Sequence, residues 1–272
     1  MSSRFTERET ERYYDAQDVI YRSIWDSEGS VHWGVFDQNT GDDFLKGCAN
    51  LNIIMADEGR IDVTSRVLDL GCGSGTTAMW LAEERNCRVT GVDLSGVRIQ
   101  NAKNDLQARS QEMQQNVAFE KASATDLPFP DGSFTHVWSQ AVIYHVPDKE
   151  GTLKEAYRVL ADGGIFIFDD LVKPKQDISE SAQTYVYDRL LFDTPFSFES
   201  YKDALQQAGF KILSSQDLSP HLKKSYSLLS NIAGSKTEGP MDKYQTLALA
   251  YAKTAQAIED SELGWGLYLC QK

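Results

Sequence analysis

The sequence predicts an α/β fold, a doubly wound parallel sheet covered by helices on both faces. Three observations carry that expectation. The stretch Val67-Leu68-Asp69-Leu70, apolar but for Asp69, runs directly into Gly71, Gly73 and Gly75, and these run into the helix-forming stretch Thr76-Thr77-Ala78-Met79-Trp80-Leu81. From there to residue 169, short apolar stretches alternate with stretches of helical period, the pattern of parallel strands joined by crossover helices. Finally, Gly164-Ile165-Phe166-Ile167-Phe168 is apolar at successive positions, as a strand buried on both faces must be.

Taken in order, residues 6–27 read as a helix carrying Tyr13, Tyr14, Tyr21, Ile24 and Trp25. The aromatic loop Val31-His32-Trp33-Gly34-Val35-Phe36 and a helix over 42–59 follow. Strands are expected over 66–70, 88–93, 117–121, 134–138 and 164–169, with helices over 76–85, 95–110 and 148–160. Helices over 179–192 and 198–208 come next, and Ala208-Gly209 ends the second before the strand Phe210-Lys211-Ile212-Leu213. Residues 218–262 read as helical, with Leu247, Ala250, Tyr251, Ala255 and Ile258 at helical spacing. Residues 263–269 close the chain as a strand. The expected organisation is an N-terminal helical cover (1–60), a ligand-binding sheet domain (61–217), a helical insertion (218–262) and a closing strand of the sheet (263–272). An insertion of that length exceeds an ordinary loop and, with the N-terminal helices, reads as a lid over a substrate.

Composition narrows the function classes. The 272 residues, 41% hydrophobic, suffice for a large domain with an appended lid. A net charge of −13 argues against a nucleic-acid partner, which requires clustered Lys and Arg. No apolar run approaches the ~18 residues of a membrane span, and Met1 to Glu9 lacks an apolar signal core, so a cytoplasmic protein acting on a small molecule is expected. Cys48, Cys72, Cys87 and Cys270 form no C-x-x-C pair, so no metal is expected and buried free thiols are the plainer reading.

The glycine spacing identifies the ligand. A dinucleotide fingerprint reads G-x-G-x-x-G, but here position 76 is Thr. Asp69 stands just before the first glycine, where a carboxylate repels a pyrophosphate and accepts from an ammonium. Asp93 ends the next strand, where a carboxylate can accept from ribose hydroxyls; it also suits a helix N-cap. A ligand with a ribose and a cationic end is implied, and S-adenosylmethionine has both.

The segments 67–75, Val89-Thr90-Gly91-Val92-Asp93-Leu94-Ser95, Ala124-Thr125-Asp126-Leu127-Pro128-Phe129 and Arg158-Val159-Leu160-Ala161-Asp162-Gly163-Gly164, in this order, resemble the class I S-adenosylmethionine-dependent methyltransferases. That resemblance implies a Rossmann-like seven-stranded sheet with the last strand antiparallel between the fifth and sixth. It also implies that Asp69, Gly71, Gly73 and Gly75 wrap the methionine part of the cofactor. Asp93 with Leu94 would take the ribose and Asp126 with Thr125 the adenine amino group, and Gln140 would lie beside them.

Methyl transfer from a sulfonium mainly requires a nucleophile placed on its axis. Ligands of open α/β sheets bind beyond the carboxyl ends of the strands, which brings Trp138-Ser139-Gln140-Ala141-Val142-Ile143-Tyr144-His145 to the site. Gln140 and His145 are the candidate catalytic residues. Tyr21, Trp25, His32, Tyr144 and Arg189 are the candidate substrate residues. Trp138-Ser139-Gln140 with His145, Gly163 to Asp170, His32 with Gly34, and Gly264-Trp265-Gly266 are similar to sarcosine/dimethylglycine N-methyltransferases. In that family an Asp-Arg pair falls at Asp188-Arg189, and an Arg fork suits a substrate carboxylate. A helix-surface ion pair is the other use of Arg189, and Lys223 and Lys224 are alternative cations. Leu171-Val172-Lys173-Pro174 and the lysines of Pro220-His221-Leu222-Lys223-Lys224 depart from that family on the substrate side. Methylation of a larger natural product at O, C or S is the competing reading. A non-catalytic cofactor-binding module and a nicotinamide dehydrogenase are disfavoured by the full motif set and by the missing third fingerprint glycine.

Overall fold

A computed structural model describes residues 5–12, 23–25 and 31–272 of the chain. Seven strands form one sheet: β1 (Arg66–Leu70), β2 (Arg88–Asp93), β3 (Val117–Lys121), β4 (Phe134–Gln140), β5 (Leu160–Val172), β6 (Lys211–Asp217) and β7 (Gly264–Gln271). Their order is β3-β2-β1-β4-β5-β7-β6. β1 to β5 pair in parallel, and β7 runs antiparallel between β5 and β6, the arrangement expected from the sequence. The direction of winding reverses between β1 and β4, so a crevice opens at the carboxyl ends of those two strands.

Nine helices can be named among the described residues: α1 (Phe44–Glu58), α2 (Thr76–Arg85), α3 (Gly96–Gln107), α4 (Gln111–Asn116), α5 (Lys149–Val159), α6 (Glu180–Ala182), α7 (Phe198–Gln207), α8 (Ser219–Gly234) and α9 (Met241–Glu259). Residues 7–12 are also helical; most of the helix expected over 6–27, with Tyr13, Tyr14 and Tyr21, lies outside the described residues. Three expectations change. The helix read over 95–110 ends at Gln107, and a further short helix not expected from sequence follows at Gln111–Asn116, started by the Ser110 hydroxyl accepting from Met113 N at 3.2 Å. The helix read over 179–192 is capped by Ser179 (Ala182 N, 3.1 Å) but widens after one turn into a π-helix, Gln183–Asp188. Strand β4 continues two residues beyond 138, so Gln140 ends the strand and is held by its pairing with Asp169.

Strand alternation sorts the side chains into two clusters. Leu68, Leu70, Val137, Phe166, Phe168 and Tyr268 pack on α5 and α7. Val67, Trp138, Ile167, Leu171, Trp265 and Leu267 face α1 and the insertion helices. On this second face, alternation also places Asp69 of β1, Gln140 of β4 and Asp169 of β5. The insertion closes over it: α8 and α9 pack with Tyr226 and Tyr251 5.8 Å apart. No described helix is long and apolar enough to cross a membrane.

Gly75 has φ +81°, and a Cβ there would lie 2.4 Å from Cζ of Phe119. Gly75→Ala is expected to lose about 2–5 kcal/mol, combining about 1–2 for the left-handed backbone with about 1–3 for overpacking. Gly163, at φ +75°, has nothing within 4 Å of that position, so Gly163→Ala is expected to lose only the backbone part. Urea denaturation of the two variants separates these contributions.

Candidate active site

The loop after β1 turns back on β2, with Gly71 N and Cys72 N donating to Val92 O at 2.8 and 2.9 Å. Gly71 is at φ +80°, and a Cβ would meet Cγ2 of Val142 at 2.3 Å. Gly73 donates its N–H to Oδ2 of Asp93 at 2.9 Å. A Cβ at Gly73 would meet only Nη1 of Arg98, at 3.5 Å; the rest of its surroundings is open cavity. The other Asp93 oxygen accepts from Ser95 N at 2.8 Å. Ser95 itself caps α3 through Arg98 N at 3.1 Å. Asp93 is therefore not the N-cap. Each of its oxygens takes one backbone donor and keeps a lone pair for another.

The cavity above this loop holds about 1090 Å³ of empty space, mouth included, and Asp69, Gly71, Gly73, Asp93, Leu94 and Gln140 are in its wall. Gly75 is set behind the wall, shaping the turn. Asp69 is buried, and its Oδ2 has no hydrogen-bond partner among the described residues. Burial, and then the nearby Asp93 charge, push its carboxyl up to about 7. A buried carboxylate of this kind calls for a cation. These residues fit S-adenosylmethionine, whose ammonium group suits Asp69 and whose ribose hydroxyls suit Asp93. Arg98, a buried guanidinium in the same wall, was not anticipated from sequence, because its position in an amphipathic helix gives no local signal.

His32 and His145 also line the cavity. Gln140 Nε2 donates to Oδ1 of Asn52 at 2.8 Å, which ties the end of β4 to α1. Nδ1 of His32 lies 3.1 Å from the carbonyl of Trp33. His145 is held neutral, well below the usual imidazole range, first by burial and then by the positive charges of Lys149 and Arg98. Thr125 and Asp126 sit beside the cavity: their neighbours Ala122 and Ala124 are in its wall, while Asp126 is exposed. Over the mouth, Ser123 Oγ donates to Glu7 at 2.7 Å and Lys121 pairs with Glu11 at 2.7 Å.

The other substrate candidates gather behind that cavity. Tyr144 lies 3.9 Å from the His145 ring and 6.0 Å from Trp33. Trp25 donates to the Tyr251 hydroxyl at 2.9 Å and packs edge-on against Phe44 and Tyr226. Tyr21 lies outside the described residues. Arg189 is not in a surface ion pair with Asp188, which turns outward to Gln183 at 2.7 Å. Arg189 turns inward: it donates to Tyr185 O (2.8 Å) and Thr254 Oγ1 (3.3 Å), with its guanidinium carbon 5.4 Å from the centre of the Tyr251 ring and 6.0 Å from that of Tyr226. Lys223 pairs with Glu259 and Lys224 with Asp42 at the surface, so neither faces this region. Asp169 and Asp170, which follow the apolar run of β5, are fully buried and outside the wall of this cavity.

A family described as "Methyltransferase domain" matches residues 68–168. The chain is 31% identical over 218 residues to (+)-O-methylkolavelool synthase of Herpetosiphon aurantiacus, covering 80% of this chain and 75% of that one. It is 29% identical over 231 residues to the sarcosine/dimethylglycine N-methyltransferase of Halorhodospira halochloris, covering 83% and 81%. In fold it is similar to the cyclopropane synthase MmaA2 of Mycobacterium tuberculosis, with a TM-score of 0.87, 13% identity and coverage of 100% and 99%.

Only the ionised Asp69 carboxylate attracts an ammonium, and it ionises as pH rises through about 7. Affinity for S-adenosylmethionine is therefore expected to strengthen between about pH 6 and about pH 8 and to lose that dependence in Asp69→Asn, as measured by calorimetry. Asp93→Ala is expected to weaken binding by about 1.5–3 kcal/mol, the worth of hydrogen bonds to a charged group. Gly73→Val is expected to weaken it further by filling the approach path.

Proposed function

Because the chain belongs to the S-adenosylmethionine-dependent methyltransferase family, we propose that its acceptor is a small amine bearing a carboxylate, with sarcosine and dimethylglycine the first candidates. S-adenosylmethionine supplies a methyl group already activated on a positively charged sulfur. The protein's task is to hold an unprotonated nitrogen in line with it and to exclude water. The single observation that carries this reading is the inward turn of Arg189 into an aromatic shell. A desolvated substrate carboxylate requires a cation, and this guanidinium lies against the rings of Tyr226 and Tyr251. The rings of Trp33, Tyr144, Tyr226 and Tyr251 favour a neutral amine by excluding water and favour the ammonium that forms from it by presenting ring faces. Gln140, fixed by Asn52, orients the acceptor beside the cofactor. Residues 7–12, the loop 31–36 and the 218–262 insertion act as the lid in this reading. The similarity to the sarcosine/dimethylglycine enzyme of Halorhodospira halochloris supports it.

A second reading, O-methylation of a larger natural product, is favoured by one pairing. His145 is a neutral imidazole in the cavity wall, able to accept a hydrogen bond from an acceptor hydroxyl, and a relative of similar identity is named for an O-methylated product. A screen of acceptors with radiolabelled cofactor separates the two, using glycine, sarcosine, dimethylglycine, ethanolamines and hydroxylated terpenoids. Label is expected in sarcosine and dimethylglycine. Arg189→Met is expected to raise KM for dimethylglycine roughly 10- to 150-fold with cofactor affinity unchanged, and Gln140→Ala to lower kcat instead. Label appearing only in a hydroxylated acceptor would replace the amine reading with the second one.

A further inference from the structure

Two carboxylates on the α1-facing side of the sheet are buried with one oxygen lacking a hydrogen-bond partner among the described residues, Asp69 and Asp169. The cofactor ammonium suits Asp69; no group discussed so far accounts for Asp169. It ends the apolar run of β5, and its register partner on β4 is Gln140, which lines the cavity. Paired strands are about 4.8 Å apart and paired residues share a face. Asp169 is thus one strand deeper than Gln140, on the same side of the sheet. Its Oδ1 accepts from the Trp265 indole at 2.7 Å. Trp265 packs edge-on against Trp33 at 5.6 Å, and Trp33 lies 6.2 Å from Tyr226, the ring beneath Arg189. A run of packed rings, Trp265, Trp33 and Tyr226, therefore separates this carboxylate from the Arg189 guanidinium.

We propose that Asp169 receives the ammonium end of the acceptor and takes its proton, an inference that rests on the amine reading above. An acceptor amine is mostly protonated in water and has no lone pair to donate. At Asp169 its N–H bond breaks, the bonding pair stays on nitrogen and an O–H bond forms on the carboxylate. The nitrogen pair then forms the N–CH₃ bond as the methyl–sulfur bond breaks, its electrons leaving on sulfur. The proton on Asp169 returns to water when the product leaves.

The surroundings suit this role. Burial and the adjacent Asp170 charge push the Asp169 carboxyl up to about 8, against the opposing indole hydrogen bond. Asp170 points to the other face of the sheet, where Tyr201 and the backbone of Tyr144 hold it. Among the described residues, the Trp265 indole and the Gln140 and Asn52 amides are the nearer polar groups on the Asp169 face, the Asp69 carboxylate stands two strands away on the same face, and Arg189 lies beyond Trp33 and Tyr226. His145, held neutral and well below the usual imidazole range, is too weak a base for an ammonium.

Two measurements test the proposal, with unchanged S-adenosylmethionine affinity in each variant as the check on folding. The first is calorimetry of dimethylglycine binding to the S-adenosylhomocysteine-loaded protein at about pH 7, in two buffers of different ionisation heat. Asp169 is mostly protonated there, so the wild type is expected to release close to one proton on binding and Asp169→Asn none. The second is the pH dependence of kcat/KM for dimethylglycine at saturating cofactor. The wild-type rate is expected to climb through about pH 8, Asp169→Asn to fall roughly a hundredfold or more, and Trp265→Phe to move the climb to higher pH, because the lost indole bond had favoured the charged carboxylate. A wild type that methylates dimethylglycine while Asp169→Asn matches it in proton release and kcat/KM overturns this inference alone, as does an unmoved climb in Trp265→Phe. A wild type that neither binds nor methylates dimethylglycine or sarcosine overturns this inference together with the amine reading.

Discussion

A carboxylate removed from water must find a partner or give up its charge, and either outcome is worth several kcal/mol. That constraint governs the carboxyl edge of this sheet. The strands arriving there are apolar because both faces are covered, yet β1 and β5 deliver Asp69 and Asp169 into the interior. Each has one oxygen with no hydrogen-bond partner among the described residues. Packing cannot correct this, since a neighbouring apolar side chain supplies no donor. A cationic group on a ligand can: the cofactor's ammonium suits Asp69, and on the proposed amine reading the acceptor's ammonium suits Asp169.

The same reasoning explains why the far side of the site is aromatic. Trp33, Tyr144, Tyr226 and Tyr251 exclude water without adding charge, and a π face tolerates a cation better than an aliphatic wall does. Arg189 can be held there because its stem packs on those rings while Tyr185 O and Thr254 Oγ1 take part of its donor set. A lysine would present a point charge in place of a planar fork. The π-helix that precedes Arg189 changes the rotation per residue, and the guanidinium follows that altered winding into the interior.

Local pattern was enough to read the sheet, the glycine turn, Asp69 and Asp93, because each depends on residues within a few positions of its neighbours: an apolar run, a required positive φ, a carboxylate at a strand end. The rest depends on pairs distant in sequence. Gln140 is fixed by Asn52, 88 residues away, and Asp169 by Trp265, 96 residues away. Asp188 and Arg189, adjacent on a helix, point about 100° apart, and local pattern does not tell which of the two turns toward the protein. Thr125 and Asp126 occur at the expected interval, but the tight Ser123–Asp126 bridge places them beside the cavity and leaves Ala122 and Ala124 to line it.

Ala141, in the cavity wall between Gln140 and Val142, is a non-glycine residue at φ +56°, a conformation costing about 1–2 kcal/mol. Its left-handed turn carries Val142 against Gly71, so the valine occupies the volume that any side chain at 71 would need. Positions 71 and 142 are therefore not independent in the history of this protein. A side chain at 71 would need both a smaller residue at 142 and a left-handed backbone that glycine adopts most readily. The turn over the glycine loop is thus fixed by two residues far apart in the sequence, and neither can be replaced without regard to the other.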